Sequence, residues 1–131
     1  MIKRVYIAGR LSPTGANSVH PAIDYLINVR EMTRWGVKTL LAGFDPFVPS
    51  LDGQFWGQLR QGEFITEPMI KRFSKSWLEV CDAVLLTPGW QESKGTLAEI
   101  KLANELNIPV FKSLEDLIEV KGEQEEDRAR P

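Results

Sequence analysis

The chain has 131 residues, 43% of them hydrophobic and 26% charged, which fits one folded domain rather than a disordered or fibrous protein. Sixteen basic against eighteen acidic side chains leave a net charge of −2, without the basic excess that binding a phosphate backbone requires. One cysteine, Cys81, excludes an internal disulfide, and with one histidine, His20, it does not make a zinc site.

No apolar run approaches the roughly 18 residues of a membrane span. Met1 leads directly into a strand-like segment, without the features of a signal peptide. These traits predict a reduced, cytoplasmic, single-domain protein.

Residues 2–8, Ile-Lys-Arg-Val-Tyr-Ile-Ala, read as a strand stopped by Gly9. Arg10 to Pro21 is rich in Ser, Pro, Thr, Gly and Asn, the composition of a loop. A helix begins between Pro21 and Asn28, with Ile23, Leu26, Ile27, Arg30, Thr33, Val37, Leu40 and Leu41 as its mostly apolar stripe. Gly43 ends it. Phe47-Val48-Pro49 predicts a second short strand, leading into Ser50-Leu51-Asp52. Gly53 to Thr66 has no clear period and holds Phe55, Trp56 and Phe64, so it reads as a lid-like loop.

Pro68 to Val80 predicts a helix with Met69, Phe73, Trp77 and Val80 along one face. Ala83-Val84-Leu85-Leu86 is a continuous apolar run, as in a strand buried on both faces, and Pro88-Gly89 stops it. A helix over Ser93–Asn107, a strand at Pro109-Val110-Phe111 and a short helix over Leu114–Val120 follow. Residues 121–131 read as a polar, disordered tail behind a domain of residues 1–120.

The alternation predicts a doubly wound, Rossmann- or flavodoxin-like parallel sheet of four to five strands with helices on both faces. Ligands in such sheets bind at the carboxyl ends of the strands. That places Gly9-Arg10, Ser50–Asp52 and Thr87–Gly95 at the binding edge, and Asp82 at the opposite edge in a structural role.

At about 100° per residue, Lys94, Lys101, Asn104 and Glu105 share one side of the 93–107 helix, while Leu102, Ala103 and Leu106 share the other. Glu99 falls in the middle of that apolar arc. A carboxylate facing a core is costly unless it is paired, and inward acids at binding edges are where shifted ionisation serves chemistry. Tyr6, near the end of the first strand, is placed to donate a hydrogen bond to it. The alternative is a glutamate reaching out from the helix rim to water.

Weaker signals surround it. Ser93 and Gly95, at a helix start after Gly89 and Trp90, suit either an anion site or a plain helix cap. The spacing matches neither a P-loop nor a Gly-x-Gly-x-x-Gly fingerprint. Trp90 suits stacking on a base or simple packing, and Asp52 suits a substrate contact or a turn cap. Cys81 reads as a small buried apolar residue.

Val5-Tyr6-Ile7-Ala8-Gly9, Gly43-Phe44, Pro46-Phe47-Val48-Pro49, Trp77–Val84, Pro88–Glu99 and Ile108–Phe111 together resemble the nucleoside 2-deoxyribosyltransferase-like superfamily, over roughly residues 2–118. The short members carried by bacteria and bacteriophages are the nearest in pattern. The resemblance implies that Glu99, of Gly-x-x-x-Glu, is a nucleophile attacking the anomeric carbon of a deoxyribosyl group, with Tyr6 orienting it. A glycosyl–enzyme ester then passes the sugar to water or a second base, as in retaining glycosidases.

Ser93 stands six residues before Glu99, where transferases of that superfamily carry an aspartate and monophosphate hydrolases a serine that contacts phosphate. This favours a nucleoside 5′-monophosphate and hydrolysis. Gly9, Arg10, Asp52, Gly89, Trp90 and Gly95 complete the expected substrate-binding set. The transferases' aspartate in the helix before the buried strand is missing; Ser74 or Lys75 stands there, so either Asp52, Glu63 or Glu67 supplies the proton, or the leaving group needs little help, or the activity is lost.

The resemblance implies a homo-oligomer, dimeric or larger, with no cofactor and no metal, acting on a small nucleoside or nucleotide, away from polymeric nucleic acid and membranes. Two other readings stand beside it. One is a nucleotide-binding module without catalysis, and the other an enzyme resembling NAD glycohydrolases.

Overall fold

A computed structural model describes residues 1–12 and 20–131, and the backbone alone of Asp52. The part of the predicted Arg10–Pro21 loop at residues 13–19 lies outside the described residues. Four strands form one all-parallel sheet: β1 (Arg4–Ala8), β2 (Asp45–Phe47), β3 (Ala83–Leu86) and β4 (Val110–Phe111). Helices α1 (Pro21–Leu41), α2 (Gly53–Trp56), α3 (Glu67–Glu79), α4 (Lys94–Glu105) and α5 (Leu114–Ala129) connect or follow them. The architecture is a doubly wound α/β fold.

The strand order is β2-β1-β3-β4, so the chain leaves β1 in one direction and returns to its other side with β3. The carboxyl ends of β1 and β3 therefore frame the switch point at which such sheets open a crevice.

Side chains alternate across the sheet and sort into two cores. Val5 and Ile7 of β1, with Ala83 and Leu85 of β3, pack against Met32 of α1 and Leu117 of α5. Tyr6 and Ala8, with Val84 and Leu86, pack on the other face against Leu78 of α3 and Ala103 of α4. Every residue of β3 is buried, as the unbroken apolar run predicts. Asp82 accepts hydrogen bonds from the amides of Lys3 and Arg4, both at 2.9 Å, and so ties the start of β1 to that of β3.

Four local outcomes differ from the sequence expectation. The second strand ends at Phe47 because Pro49 opens a 3-10 turn over Pro49–Asp52. Within the expected lid, Gly53–Trp56 is helical, and Phe55 packs edge-on against Phe73 at 6.0 Å. The expected disordered tail is helical to Ala129, capped by Ser113 and anchored by Gln124 to the Ile2 amide and by Lys121 to the Gly43 carbonyl.

The largest difference concerns α1. Gly43 does end it, at φ +95°, with the amides of Gly43 and Phe44 returning to Leu40 and Thr39. Its buried residues, however, are Asn28, Met32, Gly36 and Thr39, and the apolar stripe read from the sequence faces outward. No helix among the described residues is long and apolar enough to cross a membrane.

Candidate functional site

Alternation along β1 points Tyr6 to the sheet face covered by α3 and α4, and α4 brings Glu99 to the same place. The residues of α4 that face inward run Thr96, Glu99, Ile100 and Ala103, a stripe at helical spacing. Glu99 lies at the edge of that stripe rather than at its centre, and Leu106, expected beside it, is exposed. Burial pushes the Glu99 carboxyl up to about 7 from an ordinary 4.5, against a hydrogen bond with the Tyr6 hydroxyl that lowers it.

Tyr6 is itself held rigidly. It is fully buried, and its ring stacks on Phe47 of β2 at 5.5 Å, with Phe47 in turn stacked on Trp77 of α3 at 5.3 Å. The apolar face of α3 predicted from Met69, Phe73, Trp77 and Val80 thus closes over the sheet edge through Phe73 and Trp77. Met69 and Val80 stay exposed, and Leu78 on the opposite side is the buried residue.

The remaining face of α3 sets polar residues around Ile70 and Leu78, and it borders an open cleft of about 1290 Å³ at the carboxyl end of β1. Glu67, Lys71, Ser74 and Lys75 line it from α3, and Ser93, Lys94, Gly95 and Glu99 from the start of α4. Tyr6, Gly9 and Arg10 line it from β1 and its exit, while Tyr25 of α1 and Trp56 of α2 stand further round. The described lining carries four cations (Arg10, Lys71, Lys75, Lys94) and three acids (Glu67, Glu92, Glu99) on otherwise largely apolar walls, so the cleft suits a ligand with an apolar body and an anionic group.

Gly9 is required by packing. A Cβ there would overlap the Thr87 hydroxyl, so glycine alone lets β1 and β3 approach at the switch point. Arg10, just beyond, pairs with Glu92 at 2.7 Å across the crevice mouth. Ser93 caps α4, accepting from the Thr96 amide at 3.2 Å and the Thr96 hydroxyl at 2.9 Å. Gly95 leaves that helix start open, since a Cβ would meet nothing nearer than Ser93 Oγ at 3.9 Å.

The expected set divides accordingly. Tyr6, Gly9, Arg10, Ser93, Gly95 and Glu99 come together on the cleft. Gly89 and Trp90 do not line it. Gly89 turns the chain at φ +87° beneath the Arg10 guanidinium, and Trp90 packs against the core with Lys112 over its ring. The Asp52 side chain lies outside the described residues. Of the other two acids considered as proton donors, Glu67 lines the cleft, while Glu63 accepts the Arg60 amide at 2.9 Å away from it.

Periodicity left Lys71 and Tyr25 out of the site. The signal for the first was present in α3, whose polar positions Glu67, Lys71, Ser74 and Lys75 repeat at helical spacing. What the sequence did not convey is that a polar helix face would border a cleft rather than bulk water. Nothing in the sequence marked Tyr25; its hydroxyl is within 2.9 Å of where a Gly53 Cβ would stand.

The pattern of the family described as Domain of unknown function (DUF4406) matches residues 47–112, which include α3, β3 and α4. No curated protein matches the chain. A solved structure of a conserved protein from Enterococcus faecalis V583 is similar at 16% identity and a TM-score of 0.49. The match covers 84% of this chain and 62% of that protein, so the chain spans less than two thirds of that relative's length.

Proposed function

The chain belongs to the DUF4406 family, a domain of unknown function, and we propose that its cleft breaks or transfers an N-glycosidic bond. The substrate is a deoxynucleoside or its 5′-monophosphate, and Glu99 is the nucleophile. The observation that carries this reading is the pairing of a half-buried carboxyl, shifted to about 7, with a fixed tyrosine hydroxyl at the switch-point crevice. Such a pairing in a cleft marks a group tuned for chemistry.

In its ionised form the Glu99 carboxylate forms a C–O bond to the anomeric carbon as the C–N bond breaks. The bonding pair leaves with the base, which takes up a proton. Water, losing a proton, or a second base then resolves the glycosyl ester, and two inversions give net retention. Glu67 of α3, paired with Lys71 at 2.9 Å, is the described acid of the cleft left to deliver a proton to the leaving base. Ser93 and Lys94 suit a 5′-phosphate at the start of α4, where the helix dipole favours an anion, and Arg10 at the exit of β1 adds a cation to the same cleft. The reading is of a cytoplasmic homo-oligomer acting on small nucleosides.

A second reading, a nucleotide-binding module without turnover, draws on Ser74 and Lys75, which present no acid to the cleft from the middle of α3. One experiment separates the two. Free base is measured by chromatography after incubation with nucleosides and their 5′-monophosphates, with and without an acceptor base. Release that vanishes in Glu99→Gln supports catalysis, with a rate rising with pH through about 7 as Glu99 ionises. A ligand that raises the melting temperature of both proteins without base release supports the binding module.

A further inference from the structure

The apolar stripe of α1 points directly away from the core. At about 100° per residue, Ile23, Leu26, Ile27, Val37, Leu40 and Leu41 centre opposite the buried Asn28, Met32, Gly36 and Thr39. The six are 40–79% exposed, and they run the length of a 21-residue helix, about 31 Å at 1.5 Å per residue. Arg30 and Arg34 lie in the same arc, with long stems that add apolar cover while their heads reach its rim.

From this we infer that the outer face of α1 pairs with the same face of a second copy of this chain, about a two-fold axis crossing the middle of the helix. This inference rests on the homo-oligomer of the proposed reading and names its interface, while its test does not depend on glycosidic activity. Three features choose a second copy as the occupant.

The first is area. Six large aliphatic side chains left this exposed present on the order of several hundred Å², at or above the largest apolar patch of an ordinary monomer. Doubled by symmetry, and with the arginine stems, the buried area approaches the roughly 1,200 Å² at which stable interfaces begin. The second is composition. The stripe is aliphatic and has no aromatic anchor, as in the apolar interfaces of homodimers rather than the aromatic-rich hot spots of transient partners.

The third is symmetry. A stripe running from one end of a helix to the other is fully covered by its own antiparallel copy, which also sets the two helix dipoles head to tail. Arg30 and Arg34 are the charges of this face, and where the two copies cross, their heads turn to the rim and into water; the net charge of −2 adds little repulsion between copies. Tyr25 of α1 lines the cleft, so the pairing also braces one of its walls.

Sedimentation velocity of the full chain from 1 to 100 µM tests the proposal, with the expected result a particle of twice the chain mass. The double variant Leu26→Lys, Val37→Lys places like charges on the shared face. It is expected to sediment as a monomer, with unchanged helical circular dichroism. Arg30→Cys, near the middle of the stripe, is expected to form a disulfide-linked dimer on mild oxidation, while the buried Cys81 of the parent chain does not. That variant decides the matter if the lysine variant fails to fold. A monomer throughout the range, a dimer that survives the lysine substitutions, or no cross-link at residue 30 overturns the proposal. Flotation of the parent chain with anionic vesicles, abolished by the lysine variant, overturns it in favour of a membrane surface.

Discussion

Replacing Glu99 by Gln should stabilise the protein at pH 8 while removing its proposed activity. The folded protein holds the Glu99 proton up to about 7, whereas an ordinary glutamate, as in the unfolded chain, releases it near 4.5. Between those values the folded state binds more protons, so the Glu99 contribution to stability falls as pH rises and levels off above 7. At 1.36 kcal/mol per unit, and trimmed for partial exposure, ionised Glu99 costs the fold about 2–3 kcal/mol at pH 8. Glutamine keeps the shape and can accept the Tyr6 hydroxyl proton, but carries no charge to bury. The gain at pH 8 should raise the melting temperature by roughly 10 °C for a domain of this size. Below pH 4.5 the difference should vanish. Urea unfolding of both proteins at half-unit steps from pH 4 to 9 measures it. If the two stability curves run parallel, or if Glu99→Gln is the less stable protein at pH 8, the burial argument fails.

Three further perturbations probe the surroundings of that carboxyl. Tyr6→Phe removes the hydrogen bond that lowers the Glu99 pKa, so carboxyl NMR should show Glu99 titrating above about 7; an unchanged or lower value contradicts the contact. Gly9→Ala should cost about 1–3 kcal/mol by overpacking against Thr87, and Thr87→Ala should recover much of that loss in a double-mutant cycle; additive losses would refute the contact. Asp82→Ala should cost about 1 kcal/mol at neutral pH, because the exposed amides of Lys3 and Arg4 exchange the carboxylate for water. Burial opposes ionisation of Asp82, but the amides of Arg4 and Lys3, the N-terminus and the Arg4 charge hold its carboxyl below the usual range. Its stabilisation is therefore complete above about pH 4 and disappears as pH falls through the depressed value, and Asp82→Ala should lack that acid-side loss in a pH series of melting curves.

Some elements were written locally. The β3 run Ala83–Leu86 is apolar at every position, and only a strand covered on both faces accommodates it. Gly43 takes the positive φ that closes α1, Ser93 caps α4, and the inward face of α4 carries Glu99. Each depends on neighbours within a few residues, so a linear reading reaches it.

Other features needed the assembled chain. Helical periodicity reveals that α1 has an apolar stripe but not which face the sheet will take. Met32, Gly36 and Thr39 present a flatter surface to the strands, and the larger aliphatics turn outward. In α3 the aromatic positions close over Phe47 at the sheet edge, so the lysine face meets the cleft. The acidic end of the chain is helical because distant groups hold it: the Ile2 amide bonds Gln124, and the Gly43 carbonyl accepts Lys121. The sequence by itself determined the order of strands and helices and the inward carboxylate, because spacing along a single element sets both. The tertiary structure alone decided which faces meet and which side chains share the cleft, because such contacts join residues up to 127 positions apart.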